Sequence, residues 1–308
     1  MQFTVVLQSI LFMLAFMALG FVLVKVRASD ASHAKTLSAL LLYGCTPGII
    51  ITSFQEMEYS PDNNMNLLLF FILSLLIQLL LFGLLSLLFR DRMENGKYRI
   101  LTIGSFMGNT GFFGQPVVMA IFPDRPIAAC YCMMASISMN LLVFTLGEYM
   151  ISRDKKYISA KKAILNPTVF SLVVALPLYF LKIRLPNVPF NVLSALRTMS
   201  APLCMLMLGL RLASMKLREV FAEPLAYMVS ALKLLAFPLI SYSIVCLIPG
   251  LDQTFRTTML VVAAAPCASI VLALAEKHDC EQKSAAYSVL ISSILCVITL
   301  PMLSLIFG

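Results

Sequence analysis

Two stretches of the chain combine residue types that helices avoid with groups that could hold a solute: Gly108-Asn109-Thr110-Gly111-Phe112-Phe113-Gly114-Gln115-Pro116 and Ala263-Ala264-Ala265-Pro266-Cys267-Ala268-Ser269. Both lie inside long apolar segments. In hydrocarbon an unpaired backbone N–H or C=O costs several kcal/mol, so irregular backbone is tolerated there only where it is buried in protein or lines a cavity. A break also exposes half-helix ends, and a helix N-terminus carries partial positive charge and free N–H donors suited to an anion. Asn109, Thr110 and Gln115 add side-chain donors and acceptors, and Ser269 adds a hydroxyl. The candidate substrate-binding residues are therefore Asn109, Thr110, Gly111, Gly114, Gln115 and Pro116 on the first break and Ala265, Pro266, Cys267 and Ser269 on the second. The chemistry they suggest is reversible, non-covalent capture of a small organic anion. Ordinary packing accounts equally well for one such segment, since Gly and Pro are frequent in membrane helices and Gly104-x-x-x-Gly108 is a packing motif. A matched pair weighs toward a transport site: Pro116 and Pro266 lie 150 positions apart in 308 residues.

The elements that must position these breaks follow from composition. With 60% hydrophobic and 12% charged residues and a mean hydropathy of +0.92, the chain is far more apolar than soluble domains, which run at roughly 45–50% apolar and about 25% charged. A bilayer takes about 20 apolar residues per helix. Ten runs qualify: Phe3 to Val24, Thr36 to Phe54, Leu67 to Phe89, Tyr98 to Phe122, Pro126 to Met150, Ala163 to Leu181, Val192 to Ala213, Phe221 to Ile248, Phe255 to Glu276 and Ser284 to Phe307. The expected fold is an all-α membrane protein of ten transmembrane helices, with the fourth and ninth broken.

Charge tests that count. Alternate connectors, with the run ends beside them, hold 17 Lys or Arg, against 5 on the opposite face. The positive-inside rule places the basic face in the cytoplasm and both termini on the non-cytoplasmic side, giving a multi-pass protein of the plasma membrane, in bacteria the inner membrane. The net charge of +8 is accounted for by these loops and by anionic lipid headgroups, and does not call for nucleic acid. The eight cysteines form no C-x-x-C pair and read as small apolar residues rather than disulfides or metal ligands. The first run lacks a preceding basic residue, which argues against a cleaved signal peptide.

The halves mirror each other. Pro47 and Pro202, in the second and seventh runs, are 155 positions apart. Five helices per half forces the second half to enter from the opposite side, so residues 1–150 and 163–308 are expected to form two inverted repeats joined by a basic cytoplasmic linker at 151–162.

Several motifs taken in order resemble the auxin efflux carrier family, which includes plant PIN-type carriers and bacterial proteins described as dicarboxylate permeases. They are Asn109-x-x-x-x-Gly114-x-Pro116, Ala264-Ala265-Pro266, Asn166-Pro167, Leu208-Gly209-Leu210, and Lys233 with Pro238. The resemblance covers the whole chain; the long cytoplasmic loop of many plant members is absent. It implies a fold like that of bile-acid/sodium symporters, with the fourth and ninth helices crossing at mid-membrane. It also implies an elevator, in which helices 1, 2, 6 and 7 form a dimerising scaffold and helices 3 to 5 and 8 to 10 carry substrate. Asn109 matches the crossover asparagine that contacts substrate, and Pro116 and Pro266 the crossover prolines. No acidic residue near either break matches the ion-site carboxylates of sodium-coupled relatives, which leaves the coupling ion, proton or sodium, open.

Lys233 stands inside the eighth run, where a lysine costs about 2.5 to 3.5 kcal/mol on translocon-type scales. One reading makes it a counter-charge facing the cavity, and it joins the candidate substrate-binding set on that basis. The other lets its ammonium reach an interface along the four-carbon stem. Asn140 and Gln78 read as interhelical hydrogen-bond formers, Glu148 and Arg211 as interface-solvated, and His33 and His278 as ordinary loop histidines.

The leading reading is thus a secondary carrier of a small carboxylate, such as a dicarboxylate or auxin-like acid, with membrane lipids and a second copy of the chain as partners. No Walker A pattern occurs, and no cofactor or covalent step is required. The alternatives are a channel and an integral-membrane enzyme. The latter would need paired carboxylates, an H-E-x-x-H site or a Ser/Lys couple. Ser200 and Lys233 supply the types for such a couple, but no spacing joins them.

Overall fold

A computed structural model describes residues 2–158 and 166–307. Linker residues Lys161 and Lys162 and the expected start of the sixth run at Ala163 lie outside the described residues. Those described are almost wholly helical. Helices α1 (Gln2–Lys25), α2 (Ala34–Glu56) and α3 (Pro61–Leu88) are followed by the pair α4 (Gly96–Phe106) and α5 (Thr110–Ile121). Next come α6 (Pro126–Ser152), α7 (Pro167–Phe180), α8 (Asn187–Ala213) and α9 (Pro224–Cys246). A second pair, α10 (Gln253–Ala264) and α11 (Ser269–Lys277), leads to α12 (Gln282–Phe307). Seven of these, α1, α2, α3, α6, α8, α9 and α12, are long and apolar enough to cross a membrane. On α3 the residues Leu68, Ile72, Leu76, Leu84 and Leu87 form an exposed apolar stripe, as expected of a helix whose solvent is lipid.

Helix starts follow local chemistry. Pro61, Pro126, Pro167 and Pro224 stand at first positions, where a missing N–H costs nothing. Asn166 Oδ1 accepts from Val169 N at 3.0 Å and Asp252 Oδ1 from Phe255 N at 2.8 Å, capping α7 and α10. Other prolines lie inside helices, and three of them follow an irregular turn. A proline removes one rung of the ladder and clashes with the carbonyl four residues back. Before Pro47, Pro116 and Pro238 the chain answers with a wide turn, in which Thr46, Gln115 and Phe237 donate to the carbonyls of Leu41, Thr110 and Leu232, five residues earlier.

Packing runs in two sets of contacts, which meet where α1 packs against α12 and α5, and α2 against α6. In the first, α8 packs along α1 and α2, and α2 packs against α7. The α1–α8 contact is backbone on backbone: a methyl at Gly209 would stand 2.0 Å from the Met17 carbonyl oxygen, and one at Gly20 would stand 2.3 Å from that of Leu206. Small residues permit such approaches where lipid supplies no hydrophobic drive. The second group joins α3, α4, α6, α9, α10, α11 and α12. Its centre includes stacked Phe70 and Tyr131, with centroids 4.7 Å apart, and Phe255 edge-on to both, which ties α3, α6 and α10 together.

Candidate functional site

Helices α4 and α10 stop at Phe106 and Ala264, and the extended residues that follow cross. Asn109 N donates to Pro266 O at 2.8 Å and Ala268 N donates to Met107 O at 3.0 Å, an antiparallel bridge between Gly108 and Cys267. Each break thus pairs backbone groups that the other releases, which meets the demand of a water-poor interior. The chain then re-enters helix as α5 and α11.

The starts of α5 and α11 line one cavity of about 210 Å³, through Asn109, Thr110, Gly111 and Phe112 from the first and Ala268, Ser269 and Ile270 from the second. One water takes about 30 Å³ of liquid, so the space suits several waters or one small organic acid. First-turn amides have no partner within their own helix, so both starts bring donors to the same space. Asn109 is buried and its Nδ2 reaches Cys204 Sγ of α8 at 3.6 Å. Ser136 Oγ donates to Cys132 O at 3.0 Å, so Thr110 Oγ1, 2.6 Å away, is the donor to Ser136. Asn140 Nδ2 donates to Thr168 Oγ1 at 3.1 Å, the interhelical bond anticipated for it, and both residues also line the cavity. Gln78 bonds similarly to Ser138 at 2.8 Å. The Ser269 hydroxyl is buried with no partner among the described residues.

The remaining predicted residues are distributed around the crossing. Gln115 and Pro116 line a second cavity of about 460 Å³, together with Arg197 and Ser200 of α8. Ala265, Pro266 and Cys267 are buried in the bridge, where Cys267 N donates to Ser292 Oγ of α12 at 3.0 Å. Gly114 faces Ala265, with 3.6 Å between a methyl there and the Ala265 Cβ.

Lys233 is fully buried and lies outside the lining of the cavity that holds Asn109 and Ser269. It sits in the wide turn ahead of Pro238. Its Nζ donates to Ala263 O at 2.7 Å and stands 4.1 Å over the Phe237 ring. The last turn of α10 leaves carbonyls without helical partners, and that of Ala263 supplies the acceptor. The ammonium packs so closely on the first break that a methyl at Gly108 would stand 2.7 Å from it. It does not reach an interface.

Three sequence readings need correction. Glu148 is 2% exposed rather than interface-solvated, because Lys277 and His278 pair with it, the His278 Nε2 at 2.5 Å. The His278 side chain is accordingly 6% exposed, with Tyr157 edge-on at 4.6 Å, and is no ordinary loop histidine. Arg211, expected at an interface, lines the cavity beside the crossing with its side chain 22% exposed. The signal was adjacent, since the Leu208-Gly209-Leu210 motif ends one residue short of it.

The family described as membrane transport protein matches residues 5–160 and 150–304. The chain belongs to it. This is the auxin efflux carrier family that the ordered motifs resemble. The transporter is similar to an uncharacterized transporter of Methanothermobacter thermautotrophicus, at 26% identity over 97% of each chain. It is also similar to an uncharacterized transporter of Methanocaldococcus jannaschii, at 25% identity over 85% of each. A "Putative malonate transporter" of Rhizobium meliloti is 24% identical over 62% of each chain. The protein is therefore a multi-pass membrane protein of a transporter family.

Proposed function

We propose that this transporter is a secondary carrier of a small organic anion, built as ten membrane segments in two inverted repeats, with α4–α5 and α10–α11 as the broken members. The observation that carries the reading is the convergence of two half-helix N-termini and Asn109 on one cavity beside the crossing. A substrate carboxylate would accept from those amides and from Asn109. No covalent step is part of it.

The two packing groups supply the moving parts of an elevator. The group α1, α2, α7 and α8 serves as the scaffold and as the face for a second copy of the chain, and the other helices carry the crossing. With the basic connectors in the cytoplasm of a cell whose plasma membrane holds the protein, both termini lie outside and the cavity with Arg211 lies in the cytoplasmic half. Gln115, Pro116 and Arg197 then line the route on the opposite side. Energy comes from a solute, proton or sodium gradient.

Uptake into proteoliposomes tests the reading with malonate, malate, propionate and indole acetate, each with and without imposed proton and sodium gradients. Saturable uptake of at least one anion, stimulated by unlabelled substrate trapped inside, is the expected result. Absence of saturable flux for all of them, or flux without exchange stimulation, overturns it.

A further inference from the structure

Resting on the carrier reading above, we propose that Arg211 receives a second carboxylate of the substrate, so that the cavity selects short dicarboxylates over monocarboxylates. Arg211 occupies the last turn of α8 and is the single charged residue among the described residues lining the cavity that also holds Asn109 and Ser269. The lining is otherwise neutral, with hydroxyls and amides at Ser38, Thr46, Ser136 and Asn140. A monoanion is served by the helix starts alone, and a guanidinium placed beside them adds a second anionic subsite.

The state of the guanidinium supports this. Its Nη1 donates to Glu276 Oε1 at 3.0 Å, and its Nε is buried with no partner among the described residues. A guanidinium presents five donors in a planar fork that matches a carboxylate edge. A buried donor left unpaired on a charged group is costly, and an incoming carboxylate supplies the acceptor. Glu276 is 48% exposed, so it can turn to water when substrate arrives. The Arg211–Glu276 pair also spans the seam between α8 and α11, which belong to the two packing groups. Capture of the second carboxylate therefore competes with a bond that holds those groups together.

The test uses the full chain in proteoliposomes, with labelled malonate as substrate and propionate as competitor. Arg211→Gln is expected to raise the KM for malonate about tenfold or more, roughly one charge-assisted hydrogen bond, while inhibition by propionate stays within about twofold. Arg211→Lys is expected to restore part of the loss, since it keeps charge without the fork. Glu276→Gln, with Arg211 intact, is expected to lower the KM for malonate and leave propionate unaffected, and it serves if Arg211→Gln does not fold. Equal changes for malonate and propionate, or none in either variant, overturn the proposal. So does a native protein that carries propionate or indole acetate but not malonate, a result that leaves the carrier reading standing. Failure to carry any organic anion removes the carrier reading itself.

Discussion

The two breaks meet in a single bridge yet are made of different chemistry. The first is rich in polar groups that face a cavity: Asn109 and Thr110 hold side-chain partners on α8 and α6, and the Asn109 carbonyl accepts from both Phe113 and Gly114 at 3.1 Å. The second, Ala265 to Ala268, brings no polar side chain until Ser269. Its loose groups are served from within its own bundle, Cys267 N by Ser292 Oγ and the Ala264 carbonyl by Cys296 Sγ at 3.6 Å. Matching positions in two halves of a chain thus need not do matching work. Both breaks bring a helix start to the cavity, but the first adds most of the polar side chains there, and the second is secured mainly by its own bundle.

The largest expected effect tests that division at once. Asn109→Ala should lower uptake by about tenfold or more, as for a lost hydrogen bond to a charged group, with thermal stability retained. Pro266→Ala should leave the substrate KM within about twofold. Equal losses in transport assays of the two variants would erase the distinction. Next come the groups that pin the breaks. Gly108→Ala puts a methyl into the Lys233 ammonium and should destabilise by about 1–3 kcal/mol, the range for overpacking. Lys233→Met should cost about as much by leaving the Ala263 carbonyl short of its donor. Thermal unfolding in detergent should show the double variant to be less damaged than the sum, because the two residues are in contact.

A change no larger should follow Ser292→Ala, which leaves the Cys267 amide unpaired and should cost about 1–3 kcal/mol with an unaltered KM. A rise in KM instead would extend the second break's share in binding from the start of α11 back to Cys267. The smallest effect lies outside both breaks. A hydrogen bond from Lys216, then the charges of Lys216 and Lys283, holds the Glu219 carboxyl below its ordinary value of 4.5. The pairing contributes above that ordinary value and is lost as pH falls through the lowered folded one. Glu219→Gln should therefore leave melting unchanged in acid and lower it slightly at neutral pH.

The breaks themselves were legible because Gly and Pro disrupt an apolar run in any context. Helix limits were less so. Hydropathy places the start of the third helix at Leu67, but α3 begins at Pro61: its polar first turn is held by Asn64 Oδ1, which accepts from Tyr179 OH at 2.9 Å. Apolarity reports bilayer thickness, and helices run past it. Glu148 and Arg211 were misplaced for a related reason. Their partners, Lys277, His278 and Glu276, lie more than sixty positions away along the chain, so local pattern shows a charge near a run end and nothing of what buries it. Lys233 was recognised as buried in one reading. That it serves a carbonyl end rather than the cavity of Asn109 follows from the crossing, which no single segment encodes.

The wide turns ahead of Pro47, Pro116 and Pro238 carry one further consequence. Each inserts a residue into the winding without a regular step, and one residue of an α-helix is about 100° of rotation. Replacing any of these prolines by alanine permits the ordinary winding to return, which would swivel one portion of the rod against the other. The three rings therefore fix the azimuth of everything mounted beyond them, Lys233 against its carbonyl included, and are better regarded as set-screws than as flexible joints.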